Sequence, residues 1–184
     1  MEDLYVSSDV RERLLLAGIA ELEENGIKGF SLRKAALAAQ VSCAAPYRHF
    51  KDKEEFIVEI IKYIASKWEL MCEQIISVFS DDVRRLVIEL AVANLRFWLS
   101  NPKFRSVLML ILESDNRENS HFDLFDKSLL SAIDDYSIKC GNTNSAAIKK
   151  YTVRALIYGS LMSKNDANVV LFFREKMEEE FPKI

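Results

Sequence analysis

Seven large apolar side chains, Ile57, Ile61, Ile64, Trp68, Met71, Ile75 and Val78, follow one another at alternating steps of four and three residues. That spacing lays them along one side of an α-helix, whereas a strand face repeats every second residue. Asp52 and Glu55, just ahead of the run, have the spacing of a capping box. At about 1.5 Å per residue, some 26 residues here would extend on the order of 39 Å. A helix of that length can run from one end of a small protein into the rest of it. Five glycines and three prolines in 184 residues are too few to punctuate a multi-stranded β fold.

The remaining segments repeat the pattern. Ser8 and Asp9 can cap a first helix over about 9–25, with Val10, Leu14, Ala17, Ile19 and Leu22 at helical spacing and Asn25-Gly26 as its stop. Ser31 caps a short helix over 32–39 that packs through Leu32, Ala35, Ala36 and Ala39, and Ser42 caps another over 43–49. Asp81-Asp82 open a fifth helix that Asn101-Pro102 ends, and an apolar helix over 103–114 runs into the polar stretch 114–120. Helices over 121–140, 145–164 and 166–181 complete the chain. The expectation is an all-α protein of about nine helices. It divides into a head, residues 1–53, and a helical body, residues 54–184.

Charge is unevenly spread. Lys28, Arg33, Lys34, Arg48, Lys51 and Lys53 face only Asp52 between residues 28 and 53, a local charge of +5. With the whole chain at −3, the remainder carries −8. A basic head on an acidic body suits docking on DNA by one end. Cys43, Cys72 and Cys140 are odd in number and lack a CxxC pair, which argues against a disulfide framework or a structural zinc and for a reducing cytoplasm. Neither a signal peptide nor an apolar run long enough to cross a membrane is evident. His49 and His121 lie far apart, and no HExxH, glycine-rich phosphate loop or nucleophile elbow is present. The paired carboxylates Asp81-Asp82 and Asp134-Asp135 suit solvated faces or helix starts. The sequence therefore predicts no enzyme, cofactor or metal site.

Two short helices joined by a tight turn, followed by a basic and aromatic tail, can set the second helix in the DNA major groove. Ser42, Cys43 and Ala44 open that helix, and their small size permits close approach; Ala44 or Ala45 can meet a thymine methyl. Tyr47 and His49 suit phosphates, Arg48 a phosphate or a base, and Lys51 and Lys53 add charge. The amino end of the long helix offers backbone amides to a further phosphate. On spacing alone, a packed alanine-rich core with a solvated basic face fits these residues equally well.

The stretch from Arg11 to Ile61 resembles the N-terminal domain of the TetR family of bacterial transcriptional regulators. The matching pieces are Asn25-Gly26, Phe30-Ser31-Leu32-Arg33, Ala38-Ala39-Gln40-Val41-Ser42 and Tyr47-Arg48-His49-Phe50-Lys51-Asp52-Lys53-Glu54. The resemblance implies phosphate contacts from Tyr47, His49 and Lys53, base reading by residues 42–48, and a homodimer carrying two heads. Ser31 and Arg33 join the expected DNA-binding set. Gln40 stands where the family usually has glycine, and Pro46 lies within the reading helix.

The resemblance also implies a body that takes a small molecule. Trp68, Met71, Cys72, Phe97, Trp98, Met109, Phe122 and Phe125 are candidate pocket residues, although for each taken singly a place in the core is the stronger reading. Between 148 and 162, Ile148, Tyr151, Ala155, Gly159 and Met162 make one apolar face and Val153, Leu156, Ile157 and Leu161 another. A helix apolar on two sides must be covered on two sides. Tyr151, Ala155, Tyr158, Gly159 and Met162, with Phe173 and Met177 from the last helix, are the expected dimer interface. The expected function is a cytoplasmic homodimeric repressor, released from a palindromic operator on double-stranded DNA by a small apolar or aromatic effector. The alternatives are a DNA-bound interaction protein without an inducer, and a helical enzyme or lipid carrier with an incidental head.

Overall fold

The computed structural model describes residues 2–113, 123–163 and 168–183, with side chains from residue 9 onward except those of 112, 113 and 123. The candidate pocket residue Phe122 lies outside them. Nine α-helices and no strand occur among the described residues: α1 Glu2–Gly29, α2 Leu32–Ala38, α3 Pro46–His49, α4 Lys53–Phe79, α5 Val83–Ser100, α6 Pro102–Glu113, α7 Asp123–Lys139, α8 Ala146–Met162 and α9 Val169–Glu180. None of them is long and apolar enough to cross a membrane.

They form two compact units, residues 1–66 with 102–121, and residues 67–101 with 122–184. The units do not follow the expected division at 53/54. The first half of α4 belongs with the head, and α6 comes back to pack on α1, with Leu110 approaching Gly26 and Ser106 bonding Glu23. Sequential reading cannot see a helix that returns to an earlier partner.

In the first unit α1 buries Leu14, Leu15, Ile19 and Leu22. It begins at Glu2, ahead of the expected cap at Ser8-Asp9, and Gly26 breaks it at φ 65° as the Asn-Gly stop predicts. Gly18 lets α4 come close: a Cβ there would sit 2.7 Å from Ile60 Cδ1 and 3.2 Å from the Phe56 ring. Phe56 stacks on Phe50 at 4.1 Å and takes the edge of Phe30 at 5.4 Å. The buried side of α4 is therefore Phe56, Ile60, Ile61, Ile64, Ala65, Trp68 and Cys72, rotated from the expected stripe. Met71 is 37% and Val78 70% exposed. Both stripes satisfy helical spacing, and the neighbouring helices decide between them.

In the second unit α5 is the central helix, packed against α7, α8 and α9 and burying Leu86, Val87, Leu90, Ala91, Leu95 and Trp98 among others. Asn94, buried with them, donates to the Phe125 carbonyl at 3.3 Å and accepts from Trp98 Nε1 at 3.1 Å. Asp126, 2% exposed, is paired with Arg154 Nε at 2.8 Å. The chain's end is held by cations on the carbonyls of α9: Arg84 donates to Phe181 O at 2.5 Å and Lys149 to Glu180 O at 2.6 Å. Positive charge at a helix carboxyl end is favourable.

Arg174 on α9 grips Glu89 on α5 through two parallel bonds, 2.9 and 2.8 Å. The hydrogen bonds from Arg174 hold the Glu89 carboxyl below its ordinary value of 4.5. A depressed carboxyl contributes stability above its unfolded pKa and loses it as pH falls through the lowered folded value. Acid unfolding followed by circular dichroism should thus show native stability falling from about pH 4.5 downward. Glu89→Gln should lower stability at pH 7 and flatten that fall. An unchanged acid limb in the variant would remove this pair from the account.

Candidate DNA interface

The first helix of the motif, α2, is capped by Ser31, whose hydroxyl accepts from the Lys34 amide at 3.4 Å, and it buries Leu32, Ala35 and Ala36 as expected. At its other end the Gln40 amide donates to Leu37 O and the Val41 amide to Ala36 O, both at 3.0 Å. These two bonds make a Schellman closure, which requires a left-handed residue at its centre. Gln40 takes that position at φ 56°, the only non-glycine residue with positive φ among those described. Arg13 reaches across from α1 and donates to the carbonyls of Ala39 and Gln40, the latter at 3.3 Å. Nothing in the sequence pattern separates Arg13 from the solvated charges of α1, and its role appears only in three dimensions.

The reading helix is shorter than expected. Proline has no N–H to continue a helical ladder, so it is favoured at the first helical position. Accordingly α3 starts at Pro46 and not at residue 43, and Ser42 does not cap it. Residues 42–45 instead form a turn closed by the Ala45 amide on Ser42 O at 2.9 Å. Ser42, Cys43 and Ala44 are exposed on this turn, whereas Ala45 and Pro46 face the core. Ala45 is thereby the candidate base contact that the structure turns inward. Arg33, Tyr47, Arg48 and Lys51 are exposed, His49 is half-buried, and Tyr47 presents 65% of its surface. Phe50, 2% exposed, anchors the end of α3 under them.

The entry to α4 is capped as the sequence predicts, with one change of partner. Asp52 Oδ1 accepts from the Glu55 amide at 2.8 Å, and the Glu55 carboxylate accepts from the Lys51 amide at 2.6 Å. Lys53 Nζ donates to Lys28 O at 3.1 Å, so its ammonium lies where α1 ends and α4 begins. Arg11 pairs with Glu59 and lies 5.7 Å over the Phe50 ring; Tyr63 donates to Glu12 at 2.8 Å. The Glu59 carboxyl is held below the usual range by its bond to Lys62, with Arg11 adding to the effect. Burial, with the bond to Glu12, pushes the Tyr63 hydroxyl up to about 12. Three consecutive residues of α1, Arg11, Glu12 and Arg13, thus tie α4 and the α2–α3 turn to one element.

This is a helix-turn-helix whose outer surface joins small residues to cations and a phenol. Residues 14–60 match the family model of bacterial regulatory proteins, tetR family. Over that stretch the head is similar to the tetR family. The fold of the chain as a whole is shared with solved transcriptional regulators. The regulator FadR of Bacillus subtilis, solved in complex with stearoyl-CoA, superposes with a TM-score of 0.75 at 16% identity, covering 94% of this chain and 98% of its own. The fatty acid degradation regulator FadR of Bacillus halodurans gives 0.73 at 17% identity over 94% and 98%. The tetR-family regulator PfmR of Thermus thermophilus gives 0.69 at 20% identity over 95% and 96%. No curated protein sequence matches the chain.

The body residues singled out from sequence separate into three sets. Trp68, Phe97, Trp98 and Phe125 are buried and pack ring against ring, with centroids 5.6, 5.0 and 5.1 Å apart in that order. Cys72 is fully buried beside them in the sequence of α4, and burial pushes its thiol up to about 12. Met71 lies outside this packing at the surface, and Met109 belongs to the other unit. Of the expected interface, Tyr151 and Met162 are 75% and 71% exposed, Ala155 and Gly159 are exposed, and Tyr158 is half-buried near Asp126. Phe173 and Met177 face inward at 1% and 0% exposure, so α9 offers Leu171 and Phe172 in their place. Phe172 and Phe173 are both large and apolar and only about 100° apart on the helix, which leaves their faces undecided in sequence.

Proposed function

We propose that the chain is a cytoplasmic, homodimeric repressor, not an enzyme, that binds a palindromic operator and leaves it when a small apolar ligand enters the body. The observation that carries the dimer is the two-sidedness of α8. Val153, Ile157 and Leu161 are buried within the chain, while Ile148, Tyr151, Gly159 and Met162 form an exposed apolar face. Beside it, a groove of about 360 Å³ runs between α8 and α9, lined by Ala155, Leu156, Gly159, Ser160, Ser163, Val169 and Phe172. An exposed apolar face of this kind suits a two-fold pairing, which would present two reading elements to two half-sites.

Tyr47, His49, Lys51 and Lys53 are assigned to phosphates, and Ser42, Cys43, Ala44 and Arg48 to the bases, with Ser31 and Arg33 at the flank. Tyr47→Phe and Lys53→Ala should each weaken binding to every duplex alike, and Lys53→Ala should reduce the slope of log affinity against log salt by about 1 per head. A change of preferred sequence in Tyr47→Phe, without loss of overall affinity, would contradict the phosphate role.

The stearoyl-CoA complex of one fold neighbour supports a long-chain acyl ligand as the first to try. Such a ligand must favour the geometry that does not fit DNA, since equal affinity for both shifts nothing. Fluorescence anisotropy of a labelled operator titrated with stearoyl-CoA should fall to the free-DNA value. Persistent binding across long-chain acyl-CoAs and aromatic acids would favour a DNA-bound interaction protein without an inducer. That reading has its own support in the mutual packing of Trp68, Phe97, Trp98 and Phe125.

A further inference from the structure

The left-handed Gln40 lies between the two helices of the DNA-reading motif, and its own carbonyl and the one before it are both bonded to one side chain from outside the motif. We propose that Arg13 is a positioning residue for DNA reading: by holding Ala39 O and Gln40 O it keeps Gln40 in the left-handed conformation that aims α3.

Gln40 lacks the conformational freedom its position calls for. A glycine would take φ 56° without steric cost, whereas a residue with a Cβ is drawn away from it. The Schellman bonds satisfy Ala36 O and Leu37 O. The carbonyls of the cap residue Ala39 and of Gln40 beyond it have no helical amide to bond and need a partner from elsewhere. A guanidinium has five donors in a rigid fork and can bond two adjacent carbonyls at once. Arg13 does so from α1, with Asp9 3.8 Å behind it on the same helix. If Gln40 relaxed out of the left-handed region, the chain from Val41 to Ala45 would leave α2 along another path. Ser42, Cys43 and Ala44 would then be displaced together.

This inference rests on the DNA-binding reading of the head and makes a demand that reading alone does not. The loss caused by removing Arg13 should be repaired at Gln40, by a residue that needs no holding. The test uses the full chain and the duplex recovered by selection from a random-sequence library. Arg13→Ala should weaken its binding about tenfold, the factor matching a left-handed penalty, with the salt slope unchanged. Gln40→Gly in the same chain should restore affinity to within about twofold of the parent, since the backbone then holds the turn unaided. Amide exchange at Gln40 and Val41 should quicken in Arg13→Ala and slow again in the double variant.

Unchanged affinity in Arg13→Ala overturns the proposal. So does a loss that Gln40→Gly fails to repair, and a salt slope lower by about one contact would reassign Arg13 to a phosphate. Should the parent chain prefer no duplex, the DNA reading fails, and the exchange rates alone decide the role of Arg13.

Discussion

Gly159→Arg should convert the protein to a monomer and reduce operator affinity by at least about a hundredfold, the order of advantage that linking two heads confers. The substitution is chosen because the chain itself has room for it. A Cβ at Gly159 meets nothing within 4 Å, and replacing glycine inside a helix favours the helix. The folded subunit therefore survives, and the only casualty is whatever covers this face. Tyr151 and Met162 project on the same side, so an arginine there would carry its charge into the centre of an apolar contact. Sedimentation at micromolar concentration reads the mass, and a thermal melt verifies the fold. A dimer that persists with full operator affinity would mean that copies pair elsewhere.

Phe56→Ala should cost about 3–5 kcal/mol, the range for truncating a buried aromatic, and should abolish operator binding at 37 °C. Phe56 is fully buried, stacked on Phe50 and edged by Phe30, and its ring fills the space that Gly18 leaves on α1. Phe30 leads into α2 and Phe50 follows α3, so this one ring supports both ends of the reading motif. Against a typical domain stability of about 5–15 kcal/mol, the loss is large. The two tryptophans, Trp68 and Trp98, both belong to the second unit and report on it separately. Amide exchange across residues 30–50 should rise by orders of magnitude while tryptophan emission stays native. Protection equal to the parent's over 30–50 would show that the cluster is not what holds the head.

What the sequence discloses here follows from the range of the forces involved. The Ser31 cap, the Asp52–Glu55 cap, the break at Gly26 and the buried face of α2 depend on neighbours within four residues, and each stands where the pattern puts it. The two faces of α8 were legible because both are apolar throughout. Choices between adjacent apolar residues were not. Phe56 and Ile57, or Phe172 and Phe173, fit a helix equally, and packing partners distant in sequence select one of each pair. The shortening of α3 is written in Pro46, whose missing donor acts locally, but the resemblance to a longer reading helix outweighs it in sequence. Arg13 carried no signal, because its partners are two carbonyls some 26 residues away.

Selection of bound duplexes from a random-sequence library, followed by titration of the recovered duplex at two salt concentrations, tests the central claim most directly. The account predicts an inverted repeat whose half-sites lie about one helical turn or a small multiple apart, bound with steep salt dependence. Failure to enrich any sequence, with only weak binding at low salt, would contradict it and leave the head a scaffold for the body.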